Sequence, residues 1–246
     1  MGRLSGKVAL VSGGARGLGE AQVRSLVAEG AGVVFGDLLD DEGKALQEEL
    51  GERATYVHLD VTQQEQWADA VAVADRLGGV DILVNNAGIA IFGGIEEMSP
   101  ADFRRIVDVN LTGVYLGMHT VLPGMRTRSR GGVVINISST AGMMGYAGLA
   151  GYVASKWGVR GLTKAAAMDF AGTGVRINSI HPGPIRTPMT AGLPDSLYAG
   201  QAIPRIGEPD EVARAVLYLA VDATYTTGSE LVVDGGALLG PVLAVE

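Results

Sequence analysis

The chain has 246 residues, of which 47% are hydrophobic and 19% are charged, and it contains no cysteine. This length and composition suit one large α/β domain, and we expect a single domain over residues 1–246. The lack of cysteine excludes disulfides, thiolate metal sites and thiol catalysis. Acidic residues outnumber basic ones, 27 to 19, which argues against a nucleic-acid partner because phosphate binding needs clustered positive charge.

The sequence shows no pattern typical of a membrane segment, a secretory signal or a metal site. Apolar runs end well before the roughly 18 residues of a membrane-spanning helix, so we expect no membrane segment. A strand-like segment begins soon after Met1, so we expect no secretory signal and a cytoplasmic protein. His58, His119 and His181 have no carboxylate partner at a recognised spacing, and we predict no metal site.

Short β-branched segments alternate with longer segments of helical period. The predicted strands are residues 8–11, 33–35, 56–59, 82–84, 133–137, 177–180 and 231–233. Their continuous apolar character is typical of a parallel sheet that is covered on both faces. We therefore predict a Rossmann-type, doubly wound parallel sheet of about seven strands with helices on both faces. An irregular segment rich in proline and glycine predicts a substrate lid at about residues 188–206.

A glycine-rich turn follows the first predicted strand and leads into a helix. Gly13, Gly17 and Gly19 form a G-x-x-x-G-x-G pattern. Glycine lets the backbone approach a pyrophosphate, which then meets the unpaired N–H groups of the helix N-terminus. Alone the pattern is a weak indication, because glycine clusters often mark ordinary turns.

Asp37 ends the second predicted strand, about 18 residues beyond Gly19 and close to the roughly 20-residue spacing at which a carboxylate binds the adenosine ribose of NAD. Asp37 is also a candidate cap for the next helix, and Arg16 is a candidate partner for the 2′-phosphate of NADP. A carboxylate at the ribose repels that phosphate, so we predict NAD as the cofactor.

Polar and small residues also follow the third and fourth predicted strands, at the sheet edge where ligands bind in open α/β folds. Asp60 and Val61 follow the third strand, and Asn86, Ala87 and Gly88 follow the fourth. We expect Asp60 to hydrogen-bond the adenine edge and the other segment to lie against the adenosine. Ordinary turn formation is the alternative for that segment.

Tyr152 and Lys156 lie four residues apart at the start of a long predicted helix and therefore share a face. Such pairs are usually solvated surface. Here the preceding strand ends at Ser138 and Ser139, which places a hydroxyl where the nicotinamide end of a dinucleotide is expected.

Taken together, these motifs resemble the short-chain dehydrogenase/reductase family over essentially the whole chain, and within it the actinobacterial NAD-dependent 3α/20β-hydroxysteroid dehydrogenases. The matching motifs are Gly13-x-x-x-Gly17-x-Gly19, Asp60-Val61, Asn86-Ala87-Gly88, Asn110, Ser139, Tyr152-x-x-x-Lys156, Pro182-Gly183 and Asp234-Gly-Gly236. The resemblance implies interconversion of a secondary alcohol and a ketone by a tetrad of Asn110, Ser139, Tyr152 and Lys156.

The resemblance also implies roles for individual residues. Lys156 is expected to bind the nicotinamide ribose, Asn110 to hold a water that links Lys156 to solvent, and Ile185 and Thr187 to hold the carboxamide. The predicted NAD site comprises Gly13, Arg16, Gly17, Leu18, Gly19, Asp37, Leu38, Asp60, Val61, Asn86, Ala87, Gly88, Tyr152, Lys156, Pro182, Gly183, Ile185 and Thr187.

The implied chemistry needs a base. Tyr152 serves if its pKa falls about 2–3 units from a value near 10, and we expect the Lys156 ammonium and the positive nicotinamide to supply this shift. Ser139 is expected to hold the substrate oxygen within reach of Tyr152.

The predicted substrate site is apolar. It comprises Ser139, Met143, Met144, Leu149, Tyr152, Met189 and Leu193. Arg186 is expected to point toward cofactor or solvent, which leaves no cation except Lys156 for a charged substrate. We therefore predict that the small-molecule substrate is a bulky, mostly apolar alicyclic alcohol or ketone, with hydroxysteroids as the leading candidates.

Three alternatives stay open at this point. One is a broad-specificity secondary-alcohol dehydrogenase or ketone reductase with the same reaction. An inactive NAD-binding sensor is disfavoured by the intact tetrad, and a ketoacyl-carrier-protein reductase is disfavoured by Asp37 and the acidic charge. The resemblance also implies a homotetramer, with interfaces near residues 100–125 and 152–170 and at residues 237–245.

Overall fold

The computed structural model describes residues 2–194, 196 and 198–241. Two residues of the predicted lid, Asp195 and Leu197, lie outside the described residues. Residues 242–245 of the predicted C-terminal interface lie outside them as well.

The described residues contain one sheet of seven parallel strands in the order β3-β2-β1-β4-β5-β6-β7. The strands are β1 (Val8–Ser12), β2 (Gly32–Asp37), β3 (Ala54–His58), β4 (Ile82–Asn85), β5 (Gly132–Ile137), β6 (Val175–Pro182) and β7 (Glu230–Val233). The order reverses between β1 and β4, which is where open α/β sheets bind ligands. The prediction of a doubly wound parallel sheet is confirmed.

Helices cover both faces of this sheet. They are α1 (Gly17–Ala28), α2 (Asp40–Leu50), α3 (Gln64–Arg76), α4 (Pro100–Val107), α5 (Gly113–Arg128), α6 (Ala150–Asp169) and α7 (Pro209–Leu217). One buried cluster joins α1, α2 and α7 to the sheet, and a second joins α3, α5 and α6 to its other face. Successive strand residues point to opposite faces, so Leu10 and Val11 belong to different clusters.

Two further findings concern the described part of the chain. None of its helices is both long enough and apolar enough to cross a membrane. Its His, Asp and Glu side chains form no group of three or more that could hold a metal ion.

Glu230, the first residue of β7, is an ion-pair partner of the long helix α6. Its carboxylate lies 2.6 Å from Arg160 Nε and 2.9 Å from Lys164 Nζ, and the side chain is 15% exposed. The hydrogen bond from Arg160 is the main cause that lowers the pKa of Glu230 to about 2. The ionised carboxylate therefore links the last strand to the helix that carries Tyr152.

We expect Glu230→Gln to lower Tm by about 5 °C at pH 7, because a charge-assisted hydrogen bond contributes about 1.5–3 kcal/mol. The folded pKa lies below the ordinary value of 4.5, so this stability is present above pH 4.5 and is lost as the pH falls toward 2. Melting curves of both proteins from pH 7 to pH 3 should show the gap shrinking below pH 4.5.

The matched control is Glu52→Gln, since Glu52 is exposed in the short turn after α2. Its melting curve should follow that of the unmodified protein at every pH. A Glu230→Gln gap that stays constant down to pH 3 would show that side-chain packing, and not charge, produces the effect.

Candidate active site

The glycine turn brings the N-terminus of α1 to the carboxyl edge of the sheet. The backbone N–H groups of Gly13 and Gly14 donate to the carbonyl of Gly36, over 2.7 and 3.1 Å, which joins the turn to β2. A Cβ at Gly19 would lie only 1.9 Å from the carbonyl oxygen of Gly13. Only glycine permits this approach, so the free N–H groups of the first turn of α1 reach the sheet edge.

Asp37 is held by backbone N–H groups at the end of β2. Its carboxylate accepts from Ala15 N over 3.0 Å, and from Leu38 N and Leu39 N over 2.8 and 3.2 Å. The alternative role as helix cap is not realised, because α2 begins at Asp40 and has Leu39 as its N-cap residue. Asp37 instead presents a fixed negative charge next to the glycine turn.

A cavity of about 490 Å³ lies against this turn, and we name it the glycine-loop cavity. Its lining includes the predicted cofactor residues Gly13, Arg16, Gly17, Leu18, Gly19, Asp37, Leu38, Asp60, Val61, Asn86, Ala87, Gly88 and Thr187. Arg105 on α4 also lines it, and no sequence motif indicated this residue. The dimensions and the exposed helix N-terminus suit the adenosine and pyrophosphate of a dinucleotide.

A second cavity, of about 630 Å³, adjoins the first, and we name it the tyrosine cavity. It contains the remaining predicted cofactor residues, Tyr152, Lys156, Pro182, Gly183 and Ile185. Leu18, Asn86, Gly88, Ala90, Thr187 and Met189 line both cavities. The two cavities therefore form one continuous site that can hold a cofactor and a second molecule side by side.

Most of the predicted substrate residues meet in the tyrosine cavity. Ser139, Met144, Leu149, Tyr152, Met189 and Leu193 line it. Met143 does not belong to this lining, because it caps the short helical turn Thr140–Gly142 and the chain turns its neighbour Met144 to the cavity instead. Arg186 points to solvent as expected, and pairs with Glu208 over 3.1 Å.

Helix α6 places Tyr152 and Lys156 on the wall of the tyrosine cavity. Lys156 is 3% exposed, and its Nζ donates to the carbonyl of Ile137 over 2.9 Å. The same nitrogen lies 5.6 Å from the centre of the Tyr152 ring. Ser139, at the end of β5, uses its hydroxyl to accept from Ala141 N over 3.1 Å.

Burial governs the ionisation of this pair. It raises the pKa of Tyr152, against a smaller lowering effect of Ser139, and it lowers the pKa of Lys156 to about 8. The expectation that Lys156 brings down the pKa of Tyr152 is thus not met by the protein side chains alone, because burial disfavours both charged forms. A cationic ring bound in the cavity would favour the phenolate by direct attraction.

Asn110 lies in a π-helical turn, Asp108–Thr112, between α4 and α5. It is fully buried, and its amide accepts from Ile89 N over 2.8 Å and donates to Ile89 O and Ser155 Oγ over 2.9 and 3.1 Å. Asn110 therefore joins the segment after β4 to the helix that carries Tyr152. Its role in holding a water stays a prediction.

Asn86 has a structural task beside its predicted contact with the cofactor. Its Nδ2 donates to the carbonyls of Ser12 and Gly13 over 3.1 and 3.0 Å, and its Oδ1 accepts from Gln22 over 3.2 Å. The end of β4 is thereby fixed to the glycine turn. Sequence reasoning did not anticipate these bonds, because they join residues that are far apart in the chain.

His181 contacts the catalytic segment, although the sequence offered no signal for this. Its Nδ1 lies 3.1 Å from the carbonyl oxygen of Ser139 and its Nε2 lies 2.9 Å from Ser179 Oγ. A carbonyl only accepts, so Nδ1 carries the proton and Ser179 donates to Nε2. Burial lowers the pKa of His181, which favours this neutral tautomer. The imidazole of His181 thus helps to fix the backbone position of Ser139 through this hydrogen bond.

Comparisons with known proteins agree with this geometry. A family model described as short chain dehydrogenase matches residues 7–197. A 3-alpha-(or 20-beta)-hydroxysteroid dehydrogenase of Mycobacterium tuberculosis is 54% identical, over 97% of this chain and 92% of the relative. A trans-4-hydroxycyclohexanecarboxylate dehydrogenase of Sinomonas cyclohexanicum is 45% identical, over 97% of this chain and 95% of the relative. A cyclopentanol dehydrogenase of Comamonas testosteroni is 42% identical, over 96% and 98%.

The family match covers most of the chain, and it includes the strands β1–β6 and the helices α1–α6. Each relative acts, by its name, on a cyclic alcohol or steroid. The chain therefore belongs to the short-chain dehydrogenase family, and it is an oxidoreductase that acts on secondary alcohols with a nicotinamide cofactor.

Proposed function

We propose that the protein is an NAD(H)-dependent dehydrogenase of bulky alicyclic alcohols, with hydroxysteroids as the leading substrates. The observation that carries this proposal is the apolar lining of the 630 Å³ tyrosine cavity. Lys156 is the one charged side chain among its described lining residues. Each Å² of apolar substrate surface removed from water contributes about 25 cal/mol, so large apolar substrates gain most.

A charged substrate fits this cavity poorly. The two arginines at the ends of the predicted lid are already paired, Arg186 with Glu208 over 3.1 Å and Arg205 with Glu211 over 2.8 Å. A carboxylate or phosphate would enter without a free guanidinium to bind it. This distinguishes the proposed substrates from the acid named for the Sinomonas relative.

A broad-specificity secondary-alcohol dehydrogenase is the second candidate. Phe92 lines the tyrosine cavity yet is 68% exposed, so one wall of the cavity is open to solvent. An open apolar cavity also admits small rings, and one relative is named a cyclopentanol dehydrogenase. The substrate comparison described below separates the two candidates.

Different residues of the chain would bind different parts of the cofactor. The N–H groups at the start of α1 would hold the pyrophosphate, and Asp37 would accept from the adenosine ribose hydroxyls. Ile185 and Thr187 would hold the nicotinamide carboxamide, beside Pro182 and Gly183 at the end of β6. A nicotinamide bound there would supply the hydride acceptor for alcohol oxidation and the hydride donor for ketone reduction.

Tyr152 and Ser139 act on the substrate oxygen. In alcohol oxidation, the Tyr152 oxygen takes the hydroxyl proton while Ser139 holds the substrate oxygen in place, and the products are a ketone, the reduced cofactor and one proton. In reduction, the phenol returns that proton to the developing alkoxide. Lys156 binds the nicotinamide ribose and, when protonated, adds to the attraction that favours the phenolate.

We also propose a cytoplasmic homotetramer. Three large side chains on neighbouring helices support the assembly: Phe103 on α4, Tyr115 on α5 and Trp157 on α6 are 40%, 48% and 45% exposed. Exposed apolar faces of this kind mark interaction surfaces in folded proteins.

We expect the unmodified protein to prefer NAD⁺ over NADP⁺ at least about 100-fold in kcat/KM, because the fixed carboxylate of Asp37 repels a 2′-phosphate. Asp37→Ser should bring the ratio toward one. Asp41→Ser is the matched control, since Asp41 is exposed on α2 outside both cavities. Equal use of both cofactors by the unmodified protein would refute the assignment.

We expect Tyr152→Phe to lower kcat by about 10²–10⁴-fold while the NADH dissociation constant stays nearly unchanged, because only the proton-carrying hydroxyl is lost. Steady-state kinetics and NADH fluorescence titration measure the two effects. Tyr146→Phe removes another hydroxyl from the same cavity and should retain most of the activity. A tenth of normal activity in Tyr152→Phe would mean that another group transfers the proton.

His181→Phe should lower kcat about tenfold with little change in NADH affinity, because Ser139 loses the N–H donor behind its carbonyl. His181→Asn offers a replacement N–H near the position of Nδ1 and should recover much of kcat, although its smaller side chain should lower Tm further. If kcat instead follows Tm across the two variants, then His181 contributes packing alone.

The decisive test of the proposed function is NAD⁺/NADH turnover with a matched substrate series. We expect kcat/KM to be at least about tenfold higher for androstane and pregnane ketones than for cyclohexanone and 2-butanone, because more apolar surface is buried. The acid 4-oxocyclohexanecarboxylate should be poorer than cyclohexanone. A preference for the small ketones would favour the broad-specificity candidate instead.

A further inference from the structure

Gln201 is an almost buried amide in the segment that covers the tyrosine cavity. It lines that cavity and is 9% exposed. Its backbone N–H donates to the carbonyl of Tyr198 over 3.1 Å, but its side-chain amide makes no hydrogen bond with the described residues. Neither polar atom of the amide is fully enclosed without a partner, so the amide is accessible from the cavity and can bind a ligand there.

Other polar side chains of the lining are already engaged within the protein. Ser138 donates to Lys156 O over 3.0 Å, and Tyr146 donates to Thr140 over 3.0 Å. Thr190 donates to Ile185 O over 2.6 Å. Ser139 and Tyr152 are reserved for the reacting oxygen. Gln201 therefore differs from these groups, because its hydrogen-bonding capacity serves no contact within the described structure.

The position of Gln201 sets the distance that a ligand must span. A Cβ at Gly235 would lie 3.1 Å from Gln201 Oε1, so the amide sits above the end of β7. Ser139 follows β5, and β6 lies between the two strands. Neighbouring strands are about 4.8 Å apart, which places the amide roughly 10 Å from Ser139 across the sheet edge. With a hydrogen bond of about 2.8 Å at each end, the two oxygens of a ligand that reaches both groups lie at least about 4 Å apart.

We propose that Gln201 forms a subsite for a second, uncharged oxygen at the end of the substrate remote from Ser139 and Tyr152. An amide both donates and accepts, so the subsite takes a hydroxyl or a carbonyl. The inference rests on the proposed function and makes it narrower: the preferred substrates are alicyclic molecules with a second oxygen remote from the reacting one. A carboxylate is disfavoured there, because Lys156 is the one charged side chain among the described lining residues of the cavity.

The test uses pairs of ketones that differ only in the remote oxygen. Androstane-3,17-dione is compared with androstan-3-one, and pregnane-3,20-dione with pregnan-20-one, with product analysis to identify the reduced carbonyl. We expect the unmodified protein to favour the doubly oxygenated member about tenfold in kcat/KM, the effect of one hydrogen bond in a buried site. Gln201→Met, which keeps the shape of the side chain, should reduce this ratio to about twofold or less.

Gln201→Leu serves as a second variant, and Gln64→Met repeats the first change on the exposed start of α3. Tm and the NADH dissociation constant identify a variant that has lost its fold. The expected result is a lower kcat/KM for the doubly oxygenated member alone. An equal loss of kcat/KM for both members of a pair would overturn the inference. Gln201 would then affect the shape of the cavity without binding the second oxygen.

Failure of the proposed function has a different signature. If the unmodified protein reduces neither steroid of either pair but reduces cyclohexanone, the steroid assignment falls, and this inference falls with it. If it reduces the steroids without preferring the doubly oxygenated members, or keeps its preference in both Gln201 variants, only the inference falls.

Discussion

The contact between the first turn of α1 and the glycine turn is the constraint on which the rest of the site depends. With 1.9 Å between the Gly13 oxygen and the place of a Cβ at Gly19, the helix can begin here only because that Cβ is absent. Asn86 then binds the same turn from the end of β4, and Asp37 binds it from the end of β2. Three strand ends thereby meet at one helix N-terminus, and the glycine-loop cavity is the space that they leave.

The tyrosine cavity obeys a different physical rule, which is burial. An apolar enclosure suits an uncharged alicyclic molecule, but it also disfavours a phenolate at Tyr152 and an ammonium at Lys156. Without ligands, the neutral forms of Tyr152 and Lys156 are therefore more populated than the ordinary pKa values of these groups imply. Tyr152 and Lys156 therefore ionise more readily when ligands are bound. This links the ionisation of the pair to occupancy of the neighbouring cavity.

The strand pattern was sufficient to predict the sheet, because continuous apolar segments between helices have few other arrangements. Many residues of the two cavities were predictable too, because a parallel topology collects the residues that follow its strands at one edge of the sheet. Phe92, Tyr146 and Gln201 also line the tyrosine cavity, and no motif indicated them. Contacts between distant segments were not predictable. The contacts of His181 with Ser139 and of Asn86 with Gln22, and the place of Arg105 in the glycine-loop cavity, join segments that are far apart in the chain, so no local sequence pattern indicates them. The absence of Met143 from the lining has the same origin, because a short turn decides which of two adjacent methionines faces inward.

The π-helical turn Asp108–Thr112 has a consequence for how this segment can change over generations. Such a turn holds one residue more than an α-helix would, and it lies within a helical run that extends from Pro100 to Arg128. Deleting one residue would restore regular geometry, yet it would rotate α4 relative to α5 by about 100° and turn Asn110 away from Ile89. A deletion here would therefore break contacts of Asn110 that most single substitutions in the turn would leave in place. We therefore expect a change in the length of this segment to cost more activity than most single substitutions in it.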